Sequence, residues 1–535
     1  MNKLLLTTLL AISLVINSTA SDEKETLGTS DGKIKFTGFV SSVGGKFIRY
    51  HFTGEDYKML SVLSTLSNLN MHLKVRDNLT LHLGVECMTW YNQFNNTKNM
   101  LATERMGPFF NSYIDRAEGV FSLCSNDVCK LDLGIGYFPY KYNQDAQNLG
   151  EYLFRTGMYP PWIKTTFDWP VARISGLRFS ASAWGVLKND LLVTREVEMW
   201  PFNDVSITDI ASVSFANIID IGGGVMLGRS IPANGYLTMP RNETNQRTAD
   251  STLIRIDTTI TPMGDTSIIP LYDYERTYYT HAGTKLMARA TIDPKGILPL
   301  LGIDDYSAWM KKNDGKIYGE VAILGLKNQP PMYDTIKERM PIMFGMNWFT
   351  HPFVSYPLVV PALAYGITDR NEIITGILDT STGATAYDTI FSNKNKVNNA
   401  IIGGVFGIAA GAASWVLNRY LNIDGTPDLI AMELEYFPNP WPNNYQRCQN
   451  MLDKTPALPN PKAYGNYTAA DYLRRDDWKW SVYFNKTIAG HFIIIGQIAR
   501  DHSRLLSNNF GNTDYEEVLT RPNQYYWMGK LAYNF

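Results

Sequence analysis

The final stretch of the chain, Gln524 to Phe535, alternates at the period of two that a β-strand imposes. One face carries Tyr525, Trp527, Gly529, Leu531, Tyr533 and Phe535, and the other carries Gln524, Tyr526, Met528, Lys530, Ala532 and Asn534. Such a strand needs an apolar medium on one side and water or polar partners on the other. The rest of the chain must supply strands that continue both faces.

It does so repeatedly. Lys33 to Ser41 sets Ile34, Phe36, Gly38 and Val40 against Lys33, Lys35 and Thr37. Leu69 to Arg76 and Leu79 to Tyr91 alternate more sharply and flank Asp77-Asn78, which reads as a hairpin with a tight turn and a longer loop before it. Further strands are expected at Asn111 to Leu123, Lys130 to Tyr137, Arg173 to Val186, Leu191 to Met199, Ser206 to Ala216, Ile219 to Arg229, Arg276 to Asp293, Lys316 to Leu326, Arg339 to Phe349, Leu429 to Phe437, Trp478 to Thr487 and His491 to His502. The total is about sixteen, each close to the length that crosses a bilayer at a tilt. Short connections (Asp77-Asn78, Ser125 to Val128, Lys188 to Asp190, Asn217-Ile218, Ala489-Gly490) alternate with long polar ones.

Met1-Asn-Lys3, the apolar run Leu4 to Ile16 and the small residues up to Ala20 read as a secretory signal peptide over 1–20, followed by a polar segment over 21–32. Residues 33–535 then form one domain. Aromatic content of 13% with 31 Tyr suits interfacial girdles, and a net charge of −2 without a basic run excludes a nucleic-acid partner. Of four cysteines, Cys124 and Cys129 bracket a short turn that a bridge could close, while strand parity sets their side chains on opposite faces.

The closing strand resembles the last strand of bacterial outer-membrane β-barrels, which ends in Phe with apolar residues at alternate positions before it. Tyr533 and Phe535 match that assembly signal. The resemblance, to porins of sixteen strands, implies an all-β fold: a closed antiparallel transmembrane β-barrel in the outer membrane, met by lipid outside and by periplasmic chaperones and the barrel assembly machinery during insertion. It also implies a homotrimer, passive diffusion of small hydrophilic solutes, no cofactor, no metal and no catalysis. In such porins the loop after the fifth strand folds inward. Here Phe138 to Thr166 holds that position, and Asp145, Glu151 and Arg155 become the expected constriction residues, although the acidic Pro-Glu-Phe-Gly-Gly run of the best-known porins is missing.

Parity assigns the wall of the pore. Lys74, Arg76, His82, Glu86, Arg116, Glu118, Arg178, Lys285, Arg289, Lys316, Glu320, Arg339, Glu433, Glu435, Lys479 and Lys530 are expected to face inward. So many charges demand a wet lumen or mutual pairing. The cation excess implies a weak anion preference.

Residues 351–427 break the rhythm where a short turn belongs. Ala400 to Leu417 is uncharged, with Gly403, Gly407 and Gly411 spaced by four. This reads as a helical glycine-rich insertion on the periplasmic side; a membrane helix, or two more strands making eighteen, remain open. Gly28-Thr-Ser-Asp-Gly32 matches a nucleophile elbow without strand or helix around it, and the contiguous Asp501-His502-Ser503 cannot form a triad along a strand. A hydrophobic-substrate transporter plugged by the insertion, and a surface-binding barrel using the aromatic loops Ile231 to Glu275 and Pro438 to Asp477, are the other readings.

Overall fold

The computed structural model describes residues 34–52, 55–94, 109–126, 128–154, 172–195, 205–231, 250–260, 266–275, 283–303, 310–326, 336–351, 371–378, 385–392, 426–437, 478–506, 513–517, 519 and 523–535. The signal peptide 1–20, the polar segment 21–32, the glycine-rich run 400–417, the loop 438–477 and Arg155 lie outside them.

Among the described residues twenty-two strands follow in chain order. They are β1 (Ile34–Phe52), β2 (Glu55–Arg76), β3 (Leu79–Phe94), β4 (Phe109–Ser125), β5 (Cys129–Tyr140), β6 (Ala172–Ala183), β7 (Leu187–Arg195), β8 (Val205–Phe215), β9 (Ile219–Ile231), β10 (Asp250–Ile260) and β11 (Thr266–Glu275), then β12 (Gly283–Ile292), β13 (Ile317–Ile323), β14 (Ile342–Asn347), β15 (Asn371–Leu378), β16 (Thr385–Ser392), β17 (Leu429–Tyr436), β18 (Trp478–Ile488), β19 (Phe492–Arg500), β20 (Arg504–Leu506), β21 (Thr513–Glu517) and β22 (Tyr525–Asn534). Sixteen of them close a barrel in the order β1-β2-β3-β4-β5-β6-β7-β8-β9-β12-β13-β14-β17-β18-β19-β22, and β22 returns to β1. Neighbours pair antiparallel throughout, from Ile34↔Leu73 in the first pair to Phe39↔Asn534 at the seam.

Each barrel strand corresponds to one segment of alternating polarity in the sequence. The pairs β10-β11, β15-β16 and β20-β21 form separate two-stranded sheets. The alternative of eighteen barrel strands is therefore corrected: the strands described within the 351–427 insertion, β15 and β16, form a sheet of their own and do not join the barrel, and no α-helix is found there among the described residues. Among those residues no helix of the chain is long and apolar enough to cross a membrane.

Two boundaries differ from the sequence reading. β1 and β2 run 19 and 22 residues and meet at Phe52↔Glu55, where a longer loop was expected between Ser41 and Leu69. The turn after β6 is Trp184 to Val186, not Lys188 to Asp190, whose residues pair with both neighbouring strands. Cys87, Cys124 and Cys129 are free thiols, so no bridge closes the β4-β5 turn.

The two faces separate by polarity. Leu69, Leu83, Ile135, Ile221, Val225, Phe344, Leu434 and Leu531 are exposed on the outside, whereas Glu86, Glu118, Thr208, Glu320, Glu433, Lys479, Gln497 and Lys530 are buried within. Aromatic residues sit toward both ends of the outer face: Tyr436 against Trp478 and Trp480 against Tyr525 at one end, Phe492 against Tyr533 at the other. One end of the barrel carries five tight turns and both barrel termini, together with the β12–β13 connection and the 351–427 insertion; the connections at the other end are long except between β1 and β2.

Candidate functional site

Residues 141–154 leave the end of β5 and fold into the lumen. Leu149, Tyr152, Leu153 and Phe154 are buried in one cluster with Leu192 of β7, Ile210 of β8, Met226 of β9, Met287 of β12 and Met343 of β14. The segment thus reaches across to the wall opposite its origin. A loop that leaves water must satisfy its backbone amides. Here the partners are wall carboxylates.

Glu433 on β17 accepts the N–H groups of Gln147 at 2.5 Å, Asn148 at 2.8 Å and Leu149 at 2.8 Å, together with the Tyr318 hydroxyl at 3.0 Å. Glu320 on β13 accepts the N–H groups of Glu151 at 3.0 Å and Tyr152 at 2.8 Å, the Tyr142 hydroxyl at 2.5 Å and the Asn143 side-chain amide at 3.1 Å. Glu435 accepts the Tyr152 hydroxyl at 2.8 Å, and Asp501 accepts Asn148 Nδ2 at 2.8 Å. The direction change between the two sets falls on Gly150, at φ +86°, a conformation in which a side chain would be strained and its Cβ would lie 2.7 Å from Met343 Cε. Buried acids and loop amides are each costly alone, at roughly 1–3 kcal/mol for each unmet amide and more for a charge. Together they satisfy one another.

The three expected constriction residues fare differently. Asp145 meets Lys316 Nζ at 3.0 Å and the Thr291 hydroxyl at 2.9 Å across the lumen. Glu151 does not face a basic wall: it is fully buried and accepts Asn143 N–H at 2.5 Å and Tyr142 N–H at 3.3 Å within its own loop. It turns inward because the flanking amides need an acceptor. Burial, with the Glu320 carboxylate beside it, pushes the Glu151 carboxyl from 4.5 up to about 8.

A pH dependence follows. The docked loop holds a proton on Glu151 that a released loop gives up near 4.5, so docking is strongest below that value and weakens as pH rises to about 8. Protease sensitivity of the loop is expected to increase across that window, and Glu151→Gln to remove the dependence.

The wall residues fall into groups. Lys285 is buried and donates to the Leu153 carbonyl at 3.5 Å, so it belongs with Lys316, Glu320, Glu433 and Glu435 to the side that clasps the loop. On the side from which the loop departs, Glu118 takes Arg116 Nη2 at 2.6 Å and Arg178 Nη2 at 2.6 Å, while Arg178 also lies over the Phe138 ring at 4.9 Å. Glu86 accepts the Tyr113 hydroxyl and pairs with Arg173 at 3.3 Å; Arg173 also pairs with Asp115. Strict alternation misses Asp115, because a register shift between Gly84 and Val85 opposite β4 brings it to the same side as Arg116; Arg173, at the start of β6, is likewise absent from the expected wall. Asp501, just beyond β19, is a further wall acid not among the expected residues although alternation sets it on the side of Gln497; it takes the Tyr526 hydroxyl at 2.5 Å as well as Asn148.

The remaining positions make no contact with the loop's amides, although Arg289 lines a cavity beside it. Lys74 and Arg76 are exposed at the turn end, Lys74 against Asp77 at 2.9 Å. His82 Nδ1 meets His72 Nδ1 at 2.6 Å, and Arg289 meets Asp220 at 2.6 Å. Lys479 is buried and donates to the Leu519 carbonyl at 2.6 Å, and Lys530 Nζ sits 5.2 Å from the Phe39 ring centre. Arg339 does not lie on a strand: it ends the 3-10 turn Ile336–Arg339 ahead of β14. Among the described residues no cluster of three or more His, Cys, Asp or Glu could hold a metal ion.

Beside the loop a polar cavity of about 480 Å³ remains. Tyr140, Lys141, Tyr142 and Asp145 line one side; Lys188, Asp190, Ser212, Asp220, Arg289, Thr291, Asp293, Lys312 and Lys316 line the others. All four acids are engaged, Asp145 by Lys316, Asp190 by Tyr140 and Ser180, Asp220 by Arg289, and Asp293 by Lys295. Lys188 and Lys312 are exposed and have no ion-pair partner among the described residues.

No family model matches the chain, and no curated protein matches it. Solved structures similar to it over 94% of its length include a mutant of the Rh. blastica porin, at 8% identity, 100% of that chain and a TM-score of 0.35, and OprB of Pseudomonas putida, at 8% identity, 95% of that chain and a TM-score of 0.40. The barrel described here rests on this chain's own strand pairing rather than on those likenesses.

Proposed function

We propose that the chain is a porin-like channel that spans the bacterial outer membrane and passes small hydrophilic solutes by diffusion. The observation that carries this reading is the charged cavity left beside an inward-folded loop inside a closed barrel. A barrel of this strand number is wide enough to hold water, and a lumen lined by charges of both signs is costly unless water fills it. The apolar outer face with aromatic residues toward both ends suits a bilayer, where a sheet survives only if it closes. The loop 141–154 is the constriction.

The cavity's unengaged charges, Lys188 and Lys312, favour anions. In a planar bilayer separating unequal KCl solutions the reversal potential is expected to take the sign of chloride preference, and Lys188→Glu with Lys312→Glu to shift it toward potassium. A marked cation preference of the unaltered protein would overturn the selectivity. Absence of any step conductance from a heat-modifiable, folded preparation would overturn the channel itself.

A further inference from the structure

We propose that the turn from Pro294 to Ile303 is an in-plane foothold in the lipid interface at the short-turn end of the barrel; this rests on the membrane-spanning reading above. β12 ends on the outward Ile292, and the chain then makes two 3-10 turns, Pro294–Ile297 and Pro299–Leu301, closed by Gly302 at φ +77°. The only charged residue between 294 and 303 is Lys295. Its side chain is buried, reaching Asp293 at 2.8 Å and donating to the Asp314 carbonyl. Meanwhile Ile297, Leu301 and Ile303 project outward, Leu301 at 69% exposure.

A turn built for water would do the reverse, displaying the lysine and hiding the aliphatic groups. The backbone is satisfied internally as well. Gly296 N–H donates to Asp293 O, Leu298 N–H to Lys295 O, and both Leu301 and Ile303 N–H to Leu298 O. Such self-sufficiency is what a segment at the edge of hydrocarbon requires.

Continuity with the barrel's outer face identifies the occupant. Asp293 N–H donates to Ile218 O at 2.7 Å, which seats the turn beside the β8-β9 connection, whose flanking Phe215 and Ile219 are exposed at the lower edge of the apolar band. Ile297, Leu301 and Ile303 prolong that band past the last strand residue. Since the band faces lipid in the spanning reading, the surface that extends it faces acyl chains and glycerol backbones of the same leaflet.

An environment-sensitive fluorophore at Leu301→Cys tests this, in a chain with Cys87, Cys124, Cys129 and Cys448 replaced by serine and inserted into phosphatidylcholine vesicles. A reference label at Ile221→Cys reports the outer face of β9. The Leu301 label is expected to match the reference: blue-shifted emission, loss of intensity with brominated acyl chains and none with aqueous iodide. Quenching by iodide at Leu301 alone overturns the foothold and leaves the channel reading intact. Shielding from both quenchers means that a second copy or another protein covers the turn, and also overturns it. Iodide quenching at Ile221 removes the spanning reading and the foothold with it.

Discussion

Replacing Glu433 and Glu320 together by alanine is expected to release the loop and raise single-channel conductance on the order of twofold, because a barrel of this size without an inward obstruction is an open aqueous tube. The two carboxylates hold five backbone N–H groups, from Gln147, Asn148, Leu149, Glu151 and Tyr152, besides the Tyr142 and Tyr318 hydroxyls. Hydrogen bonds to a charged acceptor are the stronger kind. Removing one buried partner typically costs about 3–5 kcal/mol, and a shift of about 4 kcal/mol changes the docked-to-released ratio roughly a thousandfold. Glu433→Gln keeps one carbonyl acceptor and is expected to give an intermediate conductance with more current noise. The barrel pairs through its own backbone, so all variants should keep the gel shift of a folded barrel on heating. An alanine pair that stays folded at unchanged conductance would show that the loop does not limit the pore.

The strand set was legible because most barrel strands separate apolar from polar at period two. Leu69, Met71, Leu73 and Val75 against Asn70, His72, Lys74 and Arg76 show this on β2. Legibility ends where the outer face stops being apolar. The upper parts of β1 and β2 carry Ser42, Gly44, Ser61, Thr65 and Ser67, with Thr65 bonded to Thr89 of β3, and small polar residues on both faces leave no alternation to read. The turn after β6 hid for another reason. Trp184 adopts φ +53° beside Gly185 at +66°, an unusual conformation for tryptophan, whereas Lys188-Asn189-Asp190 has the composition of a turn while lying inside a ladder.

The site was half legible. Parity placed Glu320, Glu433 and Glu435 on the inner face, and the position of the loop after the fifth strand came from the resemblance. That those acids would be capped by the loop's amides depends on contacts between residues some 170 to 290 positions apart in sequence, such as Glu320 with Glu151 and Glu433 with Gln147. No local pattern encodes such distant pairing.

Substitution of Gly38 by valine is expected to abolish closure, leaving little or no heat-modifiable barrel. The seam depends on Phe535, whose N–H donates to Gly38 O at 3.0 Å, while Gly38 N–H donates to Phe535 O at 3.1 Å. A Cβ at position 38 would fall 2.3 Å from the Asn68 carbonyl oxygen and 2.7 Å from Cζ of the Phe535 ring. The ring could swing away; the Asn68 carbonyl belongs to β2 and is fixed by its ladder with β1, where Gly38 pairs with Leu69. Overpacking of this kind ordinarily costs about 1–3 kcal/mol. Here the consequence is larger than that figure implies, because relieving the clash with β2 shifts the Gly38 backbone that holds Phe535, and an open seam exposes unpaired amides on β1 and β22 to hydrocarbon, each worth several kcal/mol. Phe535→Ala separates the two contributions: it keeps both backbone bonds and gives the Gly38 side room, so it should lower the yield of folded barrel without eliminating it. Gly44→Ala is the control, since its nearest neighbour is a movable Leu63 methyl at 3.8 Å and the strand pairs Gly529 there with space to spare. Equal folding of Gly38→Val and Gly44→Ala, measured as the heat-shifted fraction on a detergent gel, would mean that β1 and β22 do not meet as closely as their register requires.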